Sequence, residues 1–145
     1  VGYATLYGDM ACSYAPIKDL FKGKVYKVAK YINKMSNKEL IPNSIIQREP
    51  TAELAPNQKD SDTLPPYDVL DGILRRYVEL DQGAAEIIAA GYEKNMVIKV
   101  INLVDNNEYK RRQAAPGVRI SQKAFGRDRR YPIVSEFNKS IFQET

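Results

Sequence analysis

The chain has 145 residues, 43% hydrophobic and 28% charged, with a formal net charge of +4, an ordinary balance for one globular domain or part of a larger one. It holds no histidine and a single cysteine, Cys12, which excludes Ser-His and Cys-His pairs, the usual zinc sets, histidine general bases and an internal disulfide. No run of about 18 apolar residues is present to span a membrane, Val1-Gly2-Tyr3 carries no signal-peptide pattern, and the lone cysteine fits a reducing compartment; a cytoplasmic setting is the expectation.

Residues 1–9 give a weak signal, the tail of a helix or strand and then a loop at Tyr7-Gly8-Asp9. From Ile17 to Met35 the apolar residues Ile17, Leu20, Phe21, Val25, Val28, Ala29, Ile32 and Met35 fall on one helical stripe, lysines fill the other face, and Pro16 fits the start. A short segment opens at Pro42 and ends near Pro50. Thr51 to Pro66, with Pro56, Pro65 and Pro66, predicts a long loop, of the kind that acts as a lid or binding loop or else merely connects elements. A helix follows over Tyr67–Leu80, with Asp68 in its first turn, then a short one over Ala84–Ala90 stopped by Gly91. A third runs from Asn95 to about Gln113 with Val97, Val100, Ile101 and Val104 inward, and Val118–Ser121 alternates as a short strand does. The tail from Ser135 is mixed and expected to be partly ordered. The segment is thus helix-rich, and any sheet of its full domain is expected mostly upstream of Val1.

Four clusters could carry chemistry. Lys18, Lys22 and Lys24 surround a helix start, where lysines hold phosphate or simply face water. Asp60 and Asp62 could bind magnesium or exchange protons, but acids in such loops are more often turn formers. Lys110 to Gln113 offers four consecutive donors that suit a phosphate or carboxylate, or that offset a helix C-terminus. Ala124 to Ile133 interleaves aromatic residues with arginines, as a nucleic-acid surface or a structural plug would. Eight basic residues and one acid, Asp128, lie between Lys110 and Arg130. A solvated basic surface accounts for them as well as a phosphate site does. No glycine-rich phosphate loop is present.

Several stretches, in order, resemble the glutamine-dependent NAD synthases. They are Gly2-Tyr3-Ala4-Thr5-Leu6-Tyr7-Gly8-Asp9-Met10, Pro16-Ile17-Lys18-Asp19, Glu49 to Gln58, Asp60-Ser61-Asp62-Thr63-Leu64-Pro65-Pro66-Tyr67-Asp68-Val69-Leu70-Asp71, Glu108 to Gly117, and Ala124 to Ile133. The resemblance implies the α/β, parallel-sheet ATP-pyrophosphatase fold (Rossmann-like, adenine nucleotide alpha-hydrolase-like). This chain would be its helix-rich C-terminal portion. The reaction implied is amidation of deamido-NAD to NAD through an adenylate, using ATP with Mg2+ and ammonia from glutamine, with release of pyrophosphate and AMP.

By the same resemblance Lys22 and Thr51 are ATP contacts. Tyr3, Ala4, Thr5 and Leu6 belong to a deamido-NAD pocket, as do Tyr109 and Lys110. Residues from about 52 to 66 form a lid, with Asp60 and Asp62 in supporting roles. No catalytic or metal-ligating residue is assigned in this chain, and no tightly bound cofactor is expected. The resemblance also implies a homo-oligomer, at least a dimer, working away from membrane and nucleic acid. The family's S-G-G-x-D-S pyrophosphate loop, its Asn-Lys-Ser-Glu segment and the glutamine amidase domain are expected upstream, so the 145 residues alone are expected to be inactive. Cys12-Ser13 stands where members often carry Gly-Gly. The alternatives are an ammonia-dependent NAD synthase without an amidase domain, another ATP pyrophosphatase, and a basic nucleic-acid-binding module.

Overall fold

A computed structural model describes residues 1–51, 56–124 and 128–135. Its secondary structure comprises α1 (Lys22–Ser36), α2 (Asn43–Gln47), a 3-10 turn (Asp60–Asp62), α3 (Tyr67–Leu74) running into a π-helical turn (Arg75–Glu79), α4 (Ala84–Ala89), α5 (Lys94–Asn106) and α6 (Glu108–Arg112). Among the described residues there is no β-strand. The chain forms two compact units, Leu20–Asp71 and the remainder, Val1–Asp19 with the chain from Gly72 onward.

In the Leu20–Asp71 unit, α1 starts five residues later than the periodicity predicts. Pro16 lies instead in a turn whose Ala15 carbonyl accepts from Lys18 N. Phe21 offers no side-chain cap, and the Asp71 carboxylate takes that role from α3, accepting the Gly23 N–H at 2.8 Å. The helix ends on Asn37 in the left-handed region. Asn33 then fixes the link to α2 by exchanging two hydrogen bonds with the backbone of Ile41. The predicted apolar stripe exists, but Val28, Ile32 and Met35 are 40%, 40% and 65% exposed, and no α1 residue is buried. Among the described residues of this unit Leu64, Pro65 and Leu70 are buried apolar side chains.

In the other unit α5 packs on α4. Ile73, Leu74, Val78, Ile87, Val97, Val100, Ile101 and Val104 are buried. The α5 members recur at i, i+3, i+4 and i+7, as their spacing predicts. Glu93 caps α5, accepting from Asn95 N and Met96 N at 2.8 Å each. Gly91, at φ +98, ends the α4 segment in a conformation that favours glycine.

Two expectations fail here. The predicted third helix breaks at Asn107, and α6 restarts at Glu108. Asp105-Asn106-Asn107 are residues that compete with helical hydrogen bonding; the Asn107 amide donates to Leu103 O at 2.7 Å, and its carbonyl accepts from Lys110 N and Arg111 N. The strand expected at Val118–Ser121 does not form. The Asp19 carboxylate accepts both Ile120 N and Ser121 N at 2.7 Å, and Arg119 donates to the carbonyls of Ser121 and Gln122. Those backbone groups are therefore not available to a ladder, and the sheet of the expected fold class does not lie in the described residues. No helix among them is long and apolar enough to cross a membrane. The tail from residue 136 and residues 125–127 lie outside the described residues, as does part of the proposed lid, residues 52–55.

Candidate functional site

The Leu20–Asp71 unit carries a cavity of about 470 Å³ lined by Lys22, Tyr26, Arg48, Glu49, Thr51 and Asp60, among others. It joins the two expected ATP contacts, Lys22 and Thr51, on one wall system. The three lysines that the sequence could not separate have different fates. Lys18 donates to the Ala115 carbonyl at 2.5 Å and belongs to the other unit. Lys24 lies over the Phe21 ring. Lys22 Nζ lies 5.7 Å from the Tyr26 ring centroid and 5.9 Å from that of Tyr67, and its ammonium has no hydrogen bond or ion pair among the described residues. Its donors are therefore available to a ligand.

The two loop acids part company as well. Asp60 is buried, 8% exposed, and its Oδ2 accepts the Tyr67 hydroxyl at 2.5 Å. Burial first, then this bond and the Asp60 charge, push the Tyr67 phenol far above its ordinary range, so it remains a donor. Asp62 is exposed and accepts Lys59 N at 2.9 Å, as a turn former does. Glu49 pairs with Lys59 at 2.7 Å and accepts from Ser61 at 2.9 Å; these bonds, that of Lys59 first, hold its carboxyl below the usual range. The pair ties the two ends of the 49–61 loop together.

In the other unit Lys110 reaches the loop of Tyr3–Leu6. Its ammonium donates to Gly2 O at 2.7 Å and Ala4 O at 2.8 Å. Gly2 is required here: its φ is +87, and a Cβ would overlap the Asn107 side chain. Thr5 N donates to Asp9 Oδ1 at 2.5 Å and closes the turn, with Leu6 half-buried and Tyr7 90% exposed at φ 60. Tyr3 and Tyr109 are partly exposed, 38% and 39%. Two expected deamido-NAD elements, the 3–6 segment and Lys110, are thus brought together. Tyr109 stands one position before Lys110, about 100° round α6.

Most of the basic stretch is committed internally. Glu108, 1% exposed, accepts from Arg111 at 2.9 Å and Arg112 at 3.1 Å. Arg112 also donates to Tyr131 O, and Arg111 to Val104 O. Arg119 pairs with Asp128 at 3.3 Å, and Lys123 with Asp81. Arg129 lies 3.7 Å from Asp105 and 4.1 Å over the Tyr77 ring. Burial raises the Asp105 carboxyl above its ordinary range despite the Tyr77 and Arg129 partners, and pushes the Tyr77 phenol up to about 12. The plug reading of the fourth cluster fits these contacts better than a free nucleic-acid surface does.

The sequence profile of the NAD synthase family matches residues 1–114. The chain belongs to the NAD synthase family. It is 57% identical over 135 residues to the glutamine-dependent NAD(+) synthetase of Acinetobacter baylyi, covering 93% of this chain and 25% of that protein. With the Thermotoga maritima glutamine-dependent NAD(+) synthetase it shares 49% over 140 residues, covering 97% and 24%. A solved structure of the Acinetobacter baumannii glutamine-dependent NAD+ synthetase in complex with adenosine diphosphate is 51% identical. It superposes with a TM-score of 0.50, over 92% of this chain and 23% of that one. The chain therefore spans about a quarter of the length of the relatives it matches. Within this family frame, sequence reasoning missed Tyr26 and Tyr67 as neighbours of Lys22, although Tyr26 sits at i+4, the spacing that brings helical side chains together.

Proposed function

We propose that this chain is the C-terminal part of the synthetase domain of a glutamine-dependent NAD synthase. The cavity of Lys22 and Thr51 takes ATP; the Tyr3–Leu6 loop with Tyr109 and Lys110 takes deamido-NAD. The observation that carries the reading is the cavity, where a lysine with uncommitted donors lies beside Thr51 and Arg48. The Acinetobacter baumannii relative was solved with adenosine diphosphate, which agrees with nucleotide binding in the family, and the relatives' names favour glutamine over free ammonia as donor.

In this reading the nicotinate carboxylate of deamido-NAD attacks the α-phosphorus of ATP and pyrophosphate leaves. Ammonia then attacks the acyl carbon of the adenylate and AMP leaves. Lys22 neutralises charge that grows on the phosphate oxygens during the first step. Lys110 keeps the Tyr3–Leu6 loop in one shape for deamido-NAD and has a third donor left for the ligand. Magnesium offsets the negative charge of the triphosphate. The 52–66 lid, with Asp60 and Asp62 supporting it, keeps water from the adenylate.

The finer parts of the reading follow the family. The chain is the helix-rich end of a parallel-sheet ATP-pyrophosphatase fold. The amidase that frees ammonia from glutamine is a separate domain, and the enzyme is a cytoplasmic homo-oligomer, at least a dimer. The test is turnover of the intact enzyme with deamido-NAD, ATP and glutamine. Lys22→Ala and Thr51→Ala are expected to raise KM for ATP, and Lys110→Met to raise KM for deamido-NAD. NAD formation indifferent to all three would refute the assignment.

A further inference from the structure

We propose that Tyr26 and Tyr67 form an aromatic cradle that aims the Lys22 ammonium at the nucleotide phosphates, with Asp60 holding the Tyr67 ring in place. The inference rests on the reading of the cavity as the ATP site and deepens it. The ammonium lies 5.7 and 5.9 Å from the two ring centroids, within the range over which a ring face attracts a cation. Such an attraction sets direction without using an N–H. Lys22 thereby keeps its donors for phosphate oxygens, whereas Lys18 and Lys110 direct theirs to backbone carbonyls.

The cradle has a built support. Tyr26 is one turn along α1 from Lys22, so the helix itself fixes their spacing. Tyr67 opens α3, and its hydroxyl donates to Asp60 Oδ2 at 2.5 Å. Asp60 is in turn held by its own backbone, whose N–H donates to Pro50 O at 3.0 Å, next to Thr51. Asp60 thus connects the ring beneath Lys22, through its carboxylate, to the segment that carries the other expected ATP contact, through its backbone N–H. Tyr26, Tyr67 and Asp60 are positioning residues, acting on ATP through Lys22.

The test is steady-state kinetics of the intact enzyme with both substrates varied. Tyr26→Leu and Tyr67→Leu are expected to raise KM for ATP about three- to tenfold, with KM for deamido-NAD unchanged. Tyr26→Phe, which keeps the ring, is expected to behave as wild type. Tyr67→Phe removes the donor and Asp60→Ala the acceptor of the same bond, so each is expected to cause a smaller rise in KM for ATP, and the double variant no more than either alone. Should Tyr67→Leu fail to fold, the half-buried Tyr26 decides the matter by itself. An ATP KM unmoved by Tyr26→Leu, while Lys22→Ala raises it, overturns the cradle and leaves the ATP site standing. If Lys22→Ala also leaves it unmoved, the ATP reading itself falls.

Discussion

A lysine ammonium has three N–H donors, and Lys110 directs two of them to Gly2 O and Ala4 O. Lys110→Met removes both bonds and the charge. Since a hydrogen bond to a charged group contributes about 1.5–3 kcal/mol, KM for deamido-NAD is expected to rise at least about tenfold, with KM for ATP unchanged. Lys110→Arg is not expected to restore it, because a planar guanidinium cannot meet two carbonyls from one point. Asp19 gives a pH signature. Burial alone would raise its carboxyl, but the Ser121 and Ile120 N–H bonds, the Ser121 hydroxyl and Arg119 together hold it below 3.8. Its stabilising contribution is thus complete above pH 3.8 and is lost as pH falls through the lower folded value. In thermal unfolding, Asp19→Asn should lower the midpoint at pH 7, and the gap from wild type should stay constant down to about pH 3.8 and narrow below it. A gap still constant below that pH would contradict the assignment. Candidate residues were legible where a family motif put them forward, as for Lys22, Thr51 and Lys110. What each ammonium does was not, because a lysine on a wet face and one over two tyrosine rings have the same local sequence.

At the scale of elements, the buried stripe of α5 was plain in the sequence because a period of 3.6 is a local property. Ile87 and Ile101 are 0% and 2% exposed, so Ile87→Ala or Ile101→Ala should cost about 2–5 kcal/mol, measured by denaturant unfolding of the intact protein. The break at Asn107 and the missing strand at Val118–Ser121 were not legible. The strand's amides are taken by Asp19, about a hundred positions away, whereas the break at Asn107 turns on local hydrogen bonds that periodicity does not register. The α1 stripe was read correctly as a face, yet periodicity says nothing of what covers it. Charge patterning hid Glu108, which looks like a surface acid at a helix start and is buried between two arginines. Glu108→Ala removes the carboxylate shared by Arg111, which is mostly buried, and Arg112, which is partly exposed, and should destabilise by about 2–3 kcal/mol. Glu108→Asp, whose shorter side chain cannot span both arginines, should recover only part of this.

For the whole molecule, recognition carried the family, and composition could not have done so. A basic stretch of eight cations fits phosphate and nucleic acid equally, until their internal partners are seen. In the proposed reading a chain spanning a quarter of its relatives' length supplies contacts for two substrates, while the glycine-rich pyrophosphate loop of the family is not among its residues. The isolated 145 residues are accordingly expected to form no NAD from deamido-NAD, ATP and ammonia, and a measurable rate would count against that division of labour. The most direct test of the account is calorimetric ATP binding by the intact enzyme, wild type against Lys22→Ala. The account predicts a loss of affinity of about tenfold or more, since a charge-assisted contact to phosphate contributes on the order of 1.5–3 kcal/mol. An ATP affinity unchanged by removal of the Lys22 ammonium would contradict it.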